Sequence, residues 1–380
     1  MGDEDFEYRD ALIRGAAHRR GAGLNPGNRF EDIRLHVLGE ELDRQWVERE
    51  REDGSLHKVE RQVFHDRTRT IINRVSRTSD VPFDWTVNPY RGCEHGCIYC
   101  FARPYHEFLG FSCGLDFETK LVAKPEAPAL LRRELAALKW KPEPIVMSAS
   151  TDVYQPIEHE MRLARGCLEV MAECFQPVST MTKSAMVLRD VDLWSRLAEK
   201  NAGRVTVTLV TLDAELARKL EPRASAPSAR LRTIEELTKA GVPVTVNVAP
   251  IIPGLTEAEL PSILRAAADA GARRAAWVLL RLPYQTKDLF LDWLERSVHP
   301  ERAKKVESLI RQSRGGKLYE ASNRNGKDRR RGSGVMVEQI AQNFDVFTRK
   351  YGLNRDVRPL TGKWFRRPQT PEVGGQMGLW

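Results

Sequence analysis

Three of the chain's six cysteines fall inside eight residues of the stretch NPYRGCEHGCIYCFARPYH: Cys93, Cys97 and Cys100, spaced C-x3-C-x2-C. Cysteines this crowded bind metal or exchange electrons as thiolates. Structural zinc takes four ligands, usually as two separated pairs, and none of His95, His106 or Cys113 completes such a spacing. A thioredoxin-like pair of Cys97 and Cys100 leaves Cys93 without a task. Iron–sulfur clusters are held by thiolates on short loops, and three ligands to a 4Fe–4S cluster leave one iron open for chemistry. That reading uses all three cysteines.

Further polar groups sit where strands end. IVMSASTD is an apolar run closing on Ser150, Thr151 and Asp152. These residues suit the polar ends of a small molecule, and equally a turn or the cap of the next helix. Lys183 ends VSTMTK, from where a lysine can pair with a carboxylate. Glu221 and Arg223, in LEPRA, read as an ion pair before a substrate clamp, and Arg189 and Asp190 as the start of a helix. His95 and His106 read as satisfied or exposed histidines rather than ligands. Cys167 and Cys174, seven apart in one helical pattern, read as buried small residues.

The elements that must position these groups begin near Pro82. Strand-like runs at 84–90, 118–124, 144–150, 177–183, 204–211, 243–252 and 274–282 alternate with helical patterns such as PEAPALLRRELAALK and SARLRTIEELTKAG. Strand-then-helix repetition predicts an α/β fold with a parallel sheet, best fitted by a partial (β/α)6 TIM-like barrel. Such folds place chemistry on loops at the C-terminal ends of strands, and the cysteine stretch follows the first strand. The expected division is an N-terminal extension over 1–80, partly extended or disordered, a core barrel over 81–300 and a basic C-terminal extension over 301–380.

Of the 380 residues 41% are hydrophobic and 29% charged, the balance of a soluble globular protein. No apolar run approaches the roughly 18 residues of a membrane span. The opening MGDEDFEYRDALIRG is acidic and has no apolar h-region, so a reducing, cytoplasmic setting is expected. The net charge of +8 is uneven: residues 301–380 carry 18 Lys/Arg against 8 Asp/Glu. A basic end suits a polyanion such as DNA or RNA, and equally a solvated surface.

The cysteine loop resembles the signature of the radical S-adenosylmethionine (SAM) superfamily, C-x3-C-x-aromatic-C, with Tyr99 as the aromatic. NPYRGCEHGCIYCFARP, SASTD, MTKSAMVLRDVDL, TLDAELARKLEPRA and APIIPGLTE resemble its spore photoproduct lyase-like branch over roughly residues 68–300. The resemblance implies a barrel of the radical SAM type and a 4Fe–4S cluster on Cys93, Cys97 and Cys100. It further implies SAM on the open iron, and an electron donor such as flavodoxin or ferredoxin. Reductive cleavage then gives a 5′-deoxyadenosyl radical that takes hydrogen from a substrate. SAM contacts are implied for Tyr99, Ser150, Thr151, Asp152, Lys183 and Ala249, with Pro250 beside it. Two positions depart from the lyases. Ala149 stands where they carry a hydrogen-donating cysteine, and Phe101 where they carry a tyrosine implicated in radical return. The machinery is therefore expected without the lyase reaction. From another class, a zinc-stabilised nucleic-acid-binding protein without catalysis is the alternative.

Overall fold

The computed structural model describes residues 20–30, 60–76, 81–319 and 330–369. Residues 31–59, to which the sequence assigns no fold, lie outside them.

Six short runs rich in Val, Ile and Thr form parallel strands: β3 (Trp85–Val87), β6 (Ile145–Met147), β7 (Val178–Thr182), β8 (Gly203–Thr208), β9 (Val244–Ile251) and β10 (Arg274–Leu279). With β2 (Ile72–Arg74), antiparallel to β3 at the edge, they make one sheet in the order β10-β9-β8-β7-β6-β3-β2. The sheet curves as a partial barrel whose two edges do not pair with each other. Register follows side-chain alternation. Val87, Ile145, Met147, Val178, Val205, Val207, Val244, Val246, Val248 and Trp277 all join the main core under the helices. Their in-between neighbours, among them Ser179, Met181, Thr206, Thr245, Asn247 and Ala276, therefore face the barrel interior. This polar inner face stays open: Met181 is 40% exposed although it lies mid-sheet.

The outer layer comprises the helices Ala127–Ala136, Leu163–Cys174, Val191–Glu199, Pro227–Lys239 and Leu260–Asp269. Cys167 and Cys174 are buried in that core. The run 118–124, read from sequence as one of the repeating strands, is not a barrel strand. Its β5 (Lys120–Ala123) forms a second sheet between β1 (Gln62–His65) and β4 (Tyr90–Arg91). The reason is connectivity: β4 and β5 flank the cysteine loop and brace it beside the barrel mouth.

The C-terminal residues pack on the barrel. The helix Val335–Lys350 contributes Val337, Ile340 and Phe344 to the main core, with Phe344 against Trp277. Asn354 pairs with the backbone of Ala275 in both directions. The chain then crosses the N-terminal ends of the strands. Arg204 and Asn201 donate to the carbonyls of Arg358 and Pro359, and Arg366 N–H to that of Cys174. Among the described residues no helix is long and apolar enough to cross a membrane.

Candidate active site

Between β4 and the short helix Arg103–Leu109 the cysteine loop folds over the C-terminal ends of the strands. Glycine is needed at one turn of the loop and at one residue packed against it. Gly96 has φ +67, the left-handed region that side chains disfavour. Gly21 packs so closely that a Cβ would stand 1.8 Å from the Gly96 carbonyl oxygen. Backbone bonds fix the loop at both ends: Cys93 N–H donates to Phe117 O at 2.9 Å and Ile98 N–H to Leu220 O at 3.1 Å.

Arg103, fully buried, ties the loop together. Its guanidinium donates to the carbonyls of Cys97, Gly96, Cys113 and Gly114 and to Glu118 at 2.6 Å. Glu118, also fully buried, accepts in addition from the N–H groups of Gly21 and Ala22. The N-terminal segment is thus clamped to the loop through one carboxylate. Arg103 has no task legible in the sequence beyond its place three residues past Cys100.

Cys93 and Cys97 are buried and Cys100 is partly exposed; all three are free thiols. Burial pushes the Cys93 thiol up, and neighbouring Asp152, Cys97 and Cys100 push it further. Burial likewise pushes Cys97 up to about 12, while the Lys183 ammonium pulls it down. Three neighbouring cysteines, of which burial holds Cys93 and Cys97 protonated, suit a cationic metal group that would stabilise their thiolates. Among the described residues no three His, Cys, Asp or Glu side chains converge as a single metal ion requires. A 4Fe–4S cluster takes one thiolate on each ligated iron, which is what Cys93, Cys97 and Cys100 have to offer. None of the three candidate fourth ligands completes a zinc site. His95 Nδ1 faces Asp152 at 3.3 Å, His106 packs on Phe111 and Phe117, and Cys113 Sγ contacts Gln285.

Around the thiols stand the residues singled out from sequence. Tyr99 is buried, and its hydroxyl donates to Glu221, which also pairs with the buried Arg230. Burial raises the carboxyl of Glu221, but Arg230, Lys183 and the Tyr99 hydroxyl outweigh it and hold the group below its ordinary range. The expected pairing of Glu221 with Arg223 is not made: Arg223 turns to Glu94 at 2.9 Å. Residue 230 lies one helix further on, and only the fold brings it back. Lys183 Nζ stands 5.9 Å from the Tyr99 ring centroid; burial lowers its pKa, yet Cys97 and Glu221 hold it raised.

Asp152 is a hub. Its carboxylate accepts from the Thr182 hydroxyl and from the N–H groups of Lys183 and Tyr154, with His95 alongside. Burial pushes its pKa up, but His95 and these N–H groups win and keep it lowered. Both oxygens are taken up by protein donors, so Asp152 ties β6, β7 and the cysteine loop together. The Thr151 hydroxyl donates to Tyr90 O, and Ser150 N–H to Asn88. Ser150 and Thr151 line a cavity of about 350 Å³ together with Asn88, Gly92, Tyr105 and Phe108. Ala249 closes the inner row of β9, and Phe101 lies outside the loop, 43% exposed.

Residues 87–267 match the model of the radical SAM superfamily. An uncharacterized protein of Mycobacterium tuberculosis (strain ATCC 25618 / H37Rv) is 37% identical over 252 residues, 66% of this chain and 74% of that protein. The radical SAM Nα-GlyT isomerase of Pseudomonas phage M6 is 22% identical, over 60% of this chain and 46% of that one. Among solved structures, a spore photoproduct lyase variant with bound AdoMet and dinucleoside spore photoproduct superposes with a TM-score of 0.53 at 14% identity. It covers 83% of this chain and 93% of that chain, a likeness of fold. The chain belongs to the radical SAM superfamily: it is an enzyme of a spore photoproduct lyase-like fold, and its cofactors are a 4Fe–4S cluster and SAM.

Proposed function

We propose that this enzyme uses Cys93, Cys97 and Cys100 to hold the cluster, opens SAM reductively beside them, and takes a hydrogen atom from a nucleic acid. The observation that carries the first part is the loop itself: three thiols at the mouth of a partial barrel, with the Lys183 ammonium acting on Cys97. Bound together, the reduced cluster and SAM supply a 5′-deoxyadenosyl radical. The chain's own residues do the rest. Lys183 is placed to pair with the carboxylate of SAM, and Tyr99 is fixed against Lys183 by Glu221 and Arg230. Ser150 and Thr151 offer hydroxyls in the cavity, and Ala249 an apolar strand end. Asp152 acts as a positioning residue, because its oxygens hold Thr182, Lys183 and Tyr154. The polar inner face of the sheet receives the substrate away from bulk water.

Reconstituted anaerobically, the protein is expected to carry a 4Fe–4S spectrum and to release 5′-deoxyadenosine and methionine under strong reductant. Cys97→Ala is expected to lose the cluster absorbance and all cleavage. A full cluster spectrum in that variant overturns the ligand assignment.

The nucleic-acid part rests on the basic C-terminal residues and on where they attach. Leu279 N–H donates to Arg330 O at 2.8 Å, and Arg314 donates to the carbonyls of Leu279 and Leu280. Arg314, ahead of the Lys/Arg-rich run NRNGKDRR in the sequence, and Arg330, its last residue, thus both bond at the C-terminal end of β10, on the same side as the cysteine loop. Neutralising Lys327 and Arg329 to Gln is expected to weaken binding and to flatten the log–log salt slope by about one per charge removed. An unchanged slope removes this part of the reading. An acidic flavodoxin or ferredoxin is the expected electron donor, approaching where Cys100 and Phe101 reach the surface.

A further inference from the structure

The rim of the barrel mouth carries a run of flat groups left facing solvent. Phe30 and Phe108 stack on each other with centroids 5.0 Å apart and planes 26° apart, and they are 54% and 66% exposed. The Arg29 guanidinium lies 5.2 Å from the Phe30 ring and 3.9 Å from Tyr284, which is 52% exposed and touches Tyr319. Five planar groups, Phe108, Phe30, Arg29, Tyr284 and Tyr319, thus follow one another along a single edge. A soluble protein rarely leaves so many rings together without a partner.

The platform is built rather than incidental. Arg29 is held by Glu107 at 2.8 Å, and Asn28 bonds to Glu107 O. The N-terminal segment that clamps the cysteine loop at Gly21 therefore also delivers Arg29 and Phe30 to the rim. The platform joins features already described at both ends. Phe108 is a wall of the cavity that contains Ser150 and Thr151. Tyr319 is the residue at which the chain enters the basic stretch.

We infer that this edge is a base-stacking platform for unpaired nucleotides, so that the substrate class is single-stranded nucleic acid or a single-stranded region. The inference rests on the nucleic-acid reading above. Exposed rings and guanidinium planes stack on bases of any identity, whereas the bases of an intact duplex hide their faces from them. A row of rings ending at a cavity leads a strand toward the reacting centre one base at a time. The sequence that follows Tyr319 is rich in Lys and Arg, residue types that contact phosphate. A protein partner could also use aromatic groups; the cavity at the end of the row and the Lys/Arg-rich sequence after Tyr319 favour a polyanion that carries planar bases.

The test is fluorescence anisotropy of the full-length protein at low salt with a labelled 12-mer, as a single strand and as its blunt duplex. The single strand is expected to bind at least tenfold more tightly. Phe108→Ala is expected to weaken single-strand binding about tenfold, and Phe108→Trp to keep it. Both variants should leave the salt slope unchanged, because stacking releases no counterions. Equal or tighter duplex binding, or no loss in Phe108→Ala with the thermal midpoint preserved, overturns the platform while the nucleic-acid reading survives. If neither form binds at low salt, both fall together, and the rim is a protein-docking surface. SAM cleavage measured in parallel reports on the cofactor assignment independently of either result.

Discussion

His106, beside the cysteine loop in the sequence, has a plain physical role. It lies six residues past Cys100, yet packs between Phe111 and Phe117 with Nε2 unpartnered. Burial pulls its pKa down to about 4, against weaker upward pulls from Asp116 and nearby backbone groups. The imidazole is therefore neutral in the fold well below pH 6.5. Above that pH it costs nothing; as pH falls from 6.5 toward 4 the unfolded chain takes up a proton that the fold refuses. Stability is expected to drop by about 3 kcal/mol over that window. Chemical denaturation at pH 7 and pH 4.5 checks this. His106→Phe should show a smaller difference than the parent, and an equal one refutes it.

At the level of elements, the cysteine loop has no regular structure of its own and depends on what is packed against it. Arg103 and Glu118 are both fully buried and reach the loop, the helix Asp116–Thr119 and residues 20–22. Removing one member leaves an uncompensated buried charge, so Glu118→Ala is expected to cost about 3–5 kcal/mol in denaturant unfolding. The double variant Arg103→Met with Glu118→Gln removes both charges and should recover part of that loss. No recovery would mean that the N–H bonds of Gly21 and Ala22 matter more than the ion pair. The strands are legible in sequence because alternation survives in each one. β5 departs one way: its pattern is as good as the others', and only the chain's path around the loop takes it out of the barrel; β1 and β2 depart the other way, since no strand was legible before Pro82.

For the molecule as a whole, the C-terminal segment has a structural task besides any role in binding. Asn354, Arg358, Pro359, Arg366 and Arg367 bond across the N-terminal ends of β10, β8 and β7 and the end of the helix Ala127–Ala136. Ending the chain at Gly352 removes these bonds at about 1 kcal/mol each, and takes Leu353 and Phe365 away from the main core. A loss of about 5 kcal/mol and a midpoint lowered by about 10 °C are expected in a thermal scan. An unchanged midpoint would make the segment dispensable. Deleting the basic end therefore confounds binding with folding, which is why point neutralisation of Lys327 and Arg329 is the cleaner probe.

By itself the sequence determined what depends on residue type and short spacing. Cys93, Cys97, Cys100 and Tyr99 make up, within one loop, the motif that resembles the superfamily signature, and strand–helix alternation specifies the partial barrel that carries it. The substitutions at Ala149 and Phe101 are visible without coordinates because each removes a reacting group. Tertiary structure decided everything that depends on residues far apart in the chain. It gave Glu221 to Arg230 instead of Arg223, and set Asp152 at the junction of two strands and the loop. It also assembled Arg29, Phe30, Phe108 and Tyr284 into one edge. Such pairings leave no periodic trace in a sequence, because they arise only when the fold shortens the distance between segments.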